Sequence, residues 1–380
     1  MQVRALKLLD ERYGDQWKTE VLDHWNYDDF IKNEKWRKGW ISFDCCRHVP
    51  STDRVYCGIT SFAADIFYAY DRSSQKFVDC GYARVRNPFD AKFHRSLELR
   101  VKDGCLYAAT ALLHDIDRYW EALGGALIRY NPTNGEICKL TVPLPHYYIQ
   151  SICLDQERDM IYGNTFTPER MFSYNLITGE TRDLGPIGSG MAMGQGENIE
   201  LDDDGNAWSG WSLTRAWQSL PGVDSHRLCR YDVCQDKIVY YNAGLPRPDG
   251  AYGYEKVEGL FNLGPGKMFA SGGNGSIYRV DRKTGMGRLI GTPIDSRRSR
   301  LASLRLGPDG MAYGVVGRDG ACQVIKFDPR AEKYELLGEV RAGEDVCWQV
   351  HDMAITPDGV IYAGENDNPH RSGYLWEIKL

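Results

Sequence analysis

The sequence lacks the features that define several common classes of protein. It has no run of about 18 apolar residues, so it predicts no membrane-spanning helix. Its 46 basic and 52 acidic residues give a net charge of −6, whereas a general nucleic-acid binder needs a strongly basic face. It contains no GxSxG elbow, P-loop or HExxH pair. This excludes the hydrolases, nucleotide-binding proteins and zinc proteases that depend on those motifs.

The cysteines follow no disulfide or zinc-binding pattern. There are 11 of them, an odd number, and none forms a CxxC pair. They therefore predict buried free thiols in a reducing compartment. The first residues, Met1 to Lys7, also lack the apolar segment of a secretory signal. Together these features predict a cytoplasmic protein without a membrane partner.

Glycine and aromatic residues, in contrast, are abundant, with 40 Gly, 10 Trp, 23 Tyr and 12 Phe. A short apolar strand that carries an aromatic residue recurs seven times, at Tyr56, Tyr107, Tyr162, Trp208, Phe269, Tyr313 and Tyr362. A strand of period 2 precedes each one, two further strands follow it, and Asp-Gly turns suit the hairpins between them. Four antiparallel strands in each unit are typical of a β-propeller blade.

The pattern therefore predicts an all-β fold, a seven-bladed β-propeller formed by a single domain, residues 1–380. The predicted blades cover approximately residues 40–85, 93–143, 148–186, 196–245, 256–293, 299–341 and 349–380. The last blade ends after its third strand, and we expect residues 17–23 to add the fourth strand and close the ring. A closed ring needs no partner, which predicts a monomer. No blade contains the Trp-Asp pair of WD repeats.

Four histidines are predicted to lie at one mouth of the central channel. In a propeller blade, the first strand begins and the second strand ends at the same face. His94 and His114 take these two places in the second blade, and His351 and His370 take them in the seventh. Histidine transfers protons near neutral pH, so this arrangement suits an enzyme. For any one of them the alternative is a structural histidine that satisfies backbone groups.

Other residues near the blade entries are predicted to contact a substrate at this mouth. They are Tyr148, Gln150, Phe166, Arg300, His351 and Asn366. Arg300 follows Arg297 and Arg298, and such a run is also typical of a solvated loop.

The sequence requires no cofactor, and a bound Zn²⁺ or Ca²⁺ stays an open alternative. His94 with His114, or His351 with Asp352 and Glu365, offers suitable ligand atoms without a recognised spacing.

Two further segments contain metal-ligand residue types. His226, Cys229 and Cys234 form a partial zinc set, but Cys229 lies on a predicted strand, where a buried thiol is favoured. The segment Asp202-Asp203-Asp204-Gly205 resembles part of a calcium loop but lacks the remaining ligands, which favours a hairpin turn.

Several segments resemble the seven-bladed propeller polysaccharide lyases, namely the ulvan lyases and the rhamnosyl-glucuronate lyases. The matching segments are Lys92-Phe93-His94-Arg95-Ser96, Ile161-Tyr162-Gly163-Asn164-Thr165-Phe166-Thr167-Pro168 and Thr181-Arg182-Asp183-Leu184-Gly185, together with His114. Those families use two histidines, a tyrosine and an arginine. The resemblance implies catalytic roles for His94, His114 and Arg182.

Phe166 stands where these families have the tyrosine. In β-elimination beside a uronate, arginine neutralises the carboxylate, a base removes the C5 proton and an acid protonates the leaving oxygen. Phenylalanine can transfer no proton. Three interpretations stay open. A histidine makes both transfers, a nearby tyrosine (Tyr147, Tyr148 or Tyr162) replaces the missing one, or this mouth is not catalytic.

A related propeller family, described as rhamnosidases that act on rhamnosyl-α-1,4-glucuronate, is similar to the lyases but works from the opposite face with one histidine of blade 1. His48, in Cys45-Cys46-Arg47-His48-Val49-Pro50, takes that place, although an ordinary loop histidine is an equal alternative. The leading prediction is a lyase that cleaves a glucuronate-containing glycan. A hydrolase that uses His48 and a non-catalytic glycan- or protein-binding propeller are the alternatives. The predicted partner is an acidic oligo- or polysaccharide.

Overall fold

The computed structural model describes residues 1–13, 27–62, 65–111, 119–166, 168–188, 197–212, 226–246, 248 and 256–380. Contacts divide the chain into two compact units: the first contains Met1–Ile149 and Val340–Leu380, and the second contains Gln150–Glu339. Nearly all regular structure is β, as predicted. Among the described residues, no helix has the length and apolar character needed to cross a membrane. That residues 1–380 form a single domain stays a prediction.

The elements are numbered in chain order. Strands β1 to β9 are Gln2–Leu6, Ser42–Val49, Arg54–Thr60, Phe67–Asp71, Lys76–Asp79, Lys92–Leu99, Leu106–Ala111, Leu127–Tyr130 and Ile137–Thr141. Strands β10 to β25 are Tyr148–Asp155, Met160–Phe166, Arg170–Asn175, Thr181–Pro186, Glu200–Leu201, Ala207–Ser212, His226–Asp232, Lys237–Tyr240, Val257–Asn262, Met268–Gly272, Ile277–Val280, Gly287–Gly291, Leu304–Leu306, Ala312–Val316, Gln323–Asp328 and Lys333–Glu339. Strands β26 to β30 are Arg341–Ala342, Asp345–Val346, Val350–Ile355, Ile361–Glu365 and Leu375–Lys379.

Helices are short and few in the described part of the chain. Two α-helices, α1 (Tyr27–Lys32) and α2 (Glu34–Gly39), precede β2. Three 3-10 turns cover Tyr82–Arg84, Tyr119–Glu121 and Ser296–Arg298.

Antiparallel sheets of four strands are the repeating element of the first unit. Strands β2 to β5 and β6 to β9 form two such groups in sequence order, and one residue pair, Thr60 with Lys92, joins them. A further sheet has the order β28-β29-β30-β1, because Gln2–Leu6 pairs with Leu375–Lys379. An N-terminal strand thus completes the last sheet, as predicted. Residues 2–6 form this strand, while residues 17–23, predicted for it, lie outside the described residues.

The second unit repeats the same sheet. In its described residues the strand orders are β10-β11-β12-β13, β14-β15-β16-β17, β18-β19-β20-β21 and β22-β23-β24-β25. Each sheet is an antiparallel meander in sequence order, which is the order predicted for a propeller blade. The number of blades in a closed ring stays a prediction.

The repeated Asp-Gly-x-x-Tyr segments form the turn between the first and second strands of a sheet. Gly310 has a φ of 78°, a left-handed conformation that glycine adopts without steric cost. In two of them the tyrosine four residues after the aspartate donates a hydrogen bond back to it, from Tyr107 to Asp103 at 2.9 Å and from Tyr313 to Asp309 at 2.7 Å. In the third, Tyr362 donates instead to Glu377 at 2.9 Å. The repeat is therefore a turn, and in two copies its aspartate positions the aromatic residue that follows.

Aromatic side chains form much of the core of each unit. In the first unit, Tyr130 packs on Tyr56 and Phe67, with ring centroids 5.7 and 5.1 Å apart, and so joins two neighbouring sheets. In the second unit, Trp208 stacks on Tyr241 at 5.4 Å. Burial of such large apolar surfaces is the main favourable contribution to folding. All 11 cysteines are free and nine of them are buried, as the sequence predicted.

Candidate functional site

The first strands of the sheets in the first unit share an irregularity near their beginning. The pairing of β2 with β3 skips Asp44, and the pairing of β28 with β29 skips His351. The pairing of β6 with β7 skips the three residues from His94 to Ser96. Such β-bulges leave a residue out of the ladder and change the direction of its side chain, and they are frequent beside active sites. The same backbone device therefore positions Asp44, His94 and His351.

These three side chains meet in the first unit. The rings of His94 and His351 lie 4.3 Å apart, edge to face. The Nδ1 atom of His351 lies 3.1 Å from Oδ1 of Asp44. Only 4% of His94, 3% of His351 and 3% of Asp44 is exposed. We call Asp44, His94 and His351 the His–Asp cluster.

Asp44 is held by hydroxyl groups. Thr60 donates a hydrogen bond to its Oδ2, and Ser42 donates one of 3.3 Å to its Oδ1. When the Nδ1–H of His351 donates to Asp44, Nε2 is the basic nitrogen of this ring. A carboxylate in this position orients the imidazole and stabilises the imidazolium that forms when Nε2 takes a proton. The arrangement is chemically suited to proton transfer.

The bulge that carries His94 is the widest of the three. Arg95 has a φ of 38°, in the left-handed region that residues other than glycine rarely adopt. The hydroxyl of Ser96 donates a hydrogen bond of 2.7 Å to the carbonyl of Ala109. Unusual backbone conformations of this kind persist only where the surrounding structure holds them, and they cluster at functional sites.

The loop after β29 lies beside the beginning of β28. The backbone N–H of Asn366 donates to the carbonyl of Gln349, two residues before His351, at 3.0 Å. The structure therefore brings two of the predicted substrate-binding residues, Asn366 and His351, to one end of one sheet. His370, predicted to lie near His351, is exposed, and its ring packs on Trp348 at 5.0 Å.

Glu365, considered above as a metal ligand, has a structural role in this loop. It is fully buried. Its Oε1 accepts hydrogen bonds from the backbone N–H of Trp348 at 2.7 Å and from the guanidinium of Arg371. Its Oε2 accepts hydrogen bonds from the same guanidinium at 2.7 Å and from the backbone N–H of Tyr374 at 2.9 Å. Because both oxygens already accept several hydrogen bonds, Glu365 orders residues 366–374.

The second unit carries a charged cluster on the same type of bulge. The pairing of β18 with β19 skips Glu258, which is 1% exposed. Its carboxylate lies 2.8 Å from Nε of Arg300 and 2.8 Å from Nζ of Lys256, and Lys256 also lies 2.9 Å from Glu197. We call Glu197, Lys256, Glu258 and Arg300 the ion-pair cluster. Two cations face two carboxylates, so the charge of buried Glu258 is compensated.

Three further predicted contact residues lie on the first two strands of one sheet. Tyr148 and Gln150 are on β10, and Phe166 is the last residue of β11. All three side chains are buried. Their predicted contact with a substrate stays a prediction.

Arg182 lies on β13, the fourth strand of its sheet. Its Nη2 is 3.0 Å from both carboxylate oxygens of Asp236, and both side chains are about half exposed. The guanidinium of Arg182 holds the pKa of Asp236 below its usual value. The role that the resemblance gives to Arg182, neutralising a substrate carboxylate, stays a prediction, but its charge is already paired here. His114 lies outside the described residues.

His48 lies at the other end of β2 from Asp44. It is buried, and its Nε2 is 3.1 Å from Oδ1 of Asp53. Arg72 donates hydrogen bonds to the same oxygen of Asp53 and, at 2.7 Å, to Asp358. His48 is therefore part of a group of one histidine, two carboxylates and one arginine in the first unit.

The two partial metal sets have structural explanations. Cys229 is fully buried, and burial raises the pKa of its thiol, as expected for a packed side chain. Asp202 accepts hydrogen bonds from the N–H groups of Asp204 and Asn206 at 3.0 Å and from Trp208 at 2.8 Å. It therefore forms a hairpin turn, as the sequence favoured.

No protein-family model matches the sequence, and no curated protein matches it. Among solved structures, the WD40 repeats of RRP9 align with 100% of this chain and 97% of their own, with a TM-score of 0.58 and 8% identity. A chain of the mitotic checkpoint complex aligns with 90% of this chain and 94% of its own, with a TM-score of 0.57 and 11% identity. A candidate gluconolactonase aligns with 78% of this chain and 90% of its own, with a TM-score of 0.46 and 14% identity.

The likeness to the first two structures identifies the fold as a β-propeller. Identities of this size show the fold alone, because unrelated functions share this architecture. The predicted β-propeller is therefore confirmed, and the lyase resemblance stays a prediction.

Proposed function

We propose that this chain is a carbohydrate-active enzyme that cleaves a glucuronate-containing glycan by β-elimination, with His94 and His351 as its proton-transfer groups. The observation that carries the proposal is the His–Asp cluster: two buried imidazoles in contact, one of them held by a buried carboxylate. A pair of histidines held in this way is costly to bury and suited to general acid–base catalysis.

The reaction needs two proton transfers. A base removes the C5 proton of the uronate, the electron pair forms the C4–C5 double bond, the C4–O bond breaks and an acid protonates the leaving oxygen. We assign the base to His351, because ionised Asp44 stabilises its imidazolium, and the acid to the adjacent His94. Two histidines would make both proton transfers, one removing the C5 proton and one protonating the leaving oxygen, which accounts for a phenylalanine at position 166, where the lyases have tyrosine.

The test is incubation with ulvan, gum arabic and rhamnosyl-glucuronate oligosaccharides. Elimination gives an unsaturated uronate that absorbs in the near ultraviolet, whereas hydrolysis gives none. We expect His351→Ala and His94→Ala each to lower the rate about 10²- to 10⁴-fold, the usual contribution of a general acid or base. His370→Ala is the matched control. His370 is an exposed histidine in the loop between β29 and β30, in the same sheet as His351, and it packs on Trp348. Full activity in both cluster variants would refute the assignment.

A hydrolase centred on His48 is the second candidate, and one observation favours it. His48 contacts Asp53, which also binds Arg72, so a buried histidine lies beside a carboxylate that a cation holds in place. Sugar release without ultraviolet absorbance, abolished by His48→Ala and not by His351→Ala, would select this candidate. Glycan binding without any product would instead indicate a non-catalytic binding propeller.

A further inference from the structure

A depression in the second unit carries a surplus of positively charged side chains. It has a volume of about 730 Å³ and lies at the turn between β20 and β21. Its charged lining residues are Arg230, Arg279, Arg282, Lys283 and Arg288 with Asp204 and Asp281. In an antiparallel meander this turn and the end of β18 share one end of the sheet, and Glu258 lies at the other end. The depression is therefore separate from the ion-pair cluster.

Most of these cations already have acidic neighbours. Arg230 lies 3.0 Å from Asp232, Arg288 pairs with Glu332, and Arg282 lies 3.5 to 3.7 Å from Asp202, Asp203 and Asp204. Lys283 donates its backbone N–H to Asp281 at 2.7 Å, and this bond holds the pKa of Asp281 below its usual value.

Arg279 differs from the other arginines of the depression. Within the described ranges no carboxylate lies within ion-pair distance of it. Its guanidinium donates to the carbonyl of Gly266 and covers the ring of Phe269 at 4.8 Å. Burial, with the nearby Arg288 and Arg282, holds the pKa of Arg279 below its usual value despite an opposing effect of Glu332.

The residue directly opposite Arg279 in the sheet is another arginine. The register of β20 and β21 pairs Arg279 with Arg288. Like charges in directly opposite positions destabilise a sheet. A half-buried arginine without a carboxylate, opposite a second arginine, is therefore an arrangement that a bound anion would relieve.

We propose that this depression binds an oxyanion (a sulfate, a phosphate or a carboxylate) with Arg279 as its principal ligand. A guanidinium offers paired N–H donors that match the oxygens of such a group. Phe269 covers one face of the guanidinium, which leaves its edge for hydrogen bonding. Lys283, in the same lining, adds positive charge around the anion.

The proposal is tested by calorimetric titration with sulfate, phosphate and glucuronate at constant ionic strength, with chloride as the reference anion. We expect Arg279→Gln to weaken the affinity for the best anion at least tenfold. Arg129→Gln is the matched control, because Arg129 lies on β8, the third strand of its own sheet, and faces Cys138. We expect this control to bind as the unmodified protein does.

A sulfated monosaccharide added to the series identifies the source of the anion. Tighter binding of the sulfated sugar than of free sulfate assigns the site to a glycan, and the reverse order assigns it to a free ion; either result supports an oxyanion site. Equal affinity in the unmodified protein and Arg279→Gln, or no preference over chloride, would overturn the proposal. The titration requires no turnover, so its result is independent of the proposed enzymatic activity.

Discussion

The His–Asp cluster of the first unit and the ion-pair cluster of the second unit have the same backbone origin and different chemistry. Asp44, His94, His351 and Glu258 are each skipped by the pairing of the first strand with the second. In the first unit two of these positions hold imidazoles, which exchange protons near neutral pH, and the third holds the carboxylate of Asp44. In the second unit it holds a carboxylate fixed between Lys256 and Arg300. The bulge therefore fixes a position, while the side chain decides whether that position can react.

The largest expected effect concerns the stability of the ion-pair cluster. Glu258→Ala leaves Lys256 and Arg300 together without the carboxylate between them, and we expect a loss of about 3–5 kcal/mol in the free energy of unfolding. Glu335→Ala is the control, because Glu335 forms an exposed pair with Lys326 at 3.9 Å and should cost at most about 1 kcal/mol. Denaturant unfolding measures both. Equal losses would show that Glu258 does not compensate two buried cations in the way described.

The next effect concerns the positioning residue of the His–Asp cluster. In Asp44→Asn, His351 loses the negative charge that stabilises its imidazolium, and we expect a fall of about 10²-fold in kcat/KM. The measurement is kcat/KM for release of the unsaturated product, compared with the unmodified protein. An unchanged kcat/KM would contradict this role of Asp44. Asp53→Asn tests the His48 candidate by kcat/KM for sugar release.

The smallest expected effect is a pH dependence of stability that arises in the first unit. Burial raises the pKa of the Asp65 carboxyl to about 6, and the adjacent Asp79 adds to this rise, against hydrogen bonds from the N–H groups of Ala83 and Ile66. The folded chain therefore binds more protons than the unfolded chain between about pH 4 and pH 6, and its stability falls as the pH rises through that window. Glu258, with two cations beside it, has no such uncompensated charge.

Asp65→Asn isolates this contribution. Unfolding measured from about pH 4 to pH 7 should show a smaller decrease in stability for the variant than for the unmodified protein. Identical slopes would mean that Asp65 ionises normally in the folded chain.

The sequence predicted where the cluster residues lie along the strands, but it did not predict which residues they contact. His94 and His351 were expected near the blade entries because the strand repeat locates them, and the structure places each on the first strand of its sheet. The pairing of His94 with His351 was not predicted, because it joins different sheets and no local pattern reports contacts between sheets. Histidine pairs within a blade were expected instead.

Asp44 was missed for a related reason. In Ser42-Phe43-Asp44-Cys45 the polar and apolar residues alternate as in any half-buried strand, and a bulge of one residue leaves no mark in such a pattern. The outer strand of the last sheet was assigned to residues 17–23, although residues 2–6 occupy it, because both are short segments that suit a strand. Only the observed register of Val3 with Ile378 distinguishes them.

The pairing of β1 with β30 has a consequence for the order of events during folding. Arg4 and Glu377, which bond across this pair, are separated by 373 positions in the chain. Contacts between such distant residues form late, because the chain must first pay the entropy of closing a very long loop. His351 lies in the same sheet, on β28. During synthesis, β1 therefore stays without its partner strand until Leu375–Lys379 has been made, and we expect the sheet that holds His351 to be completed late in assembly.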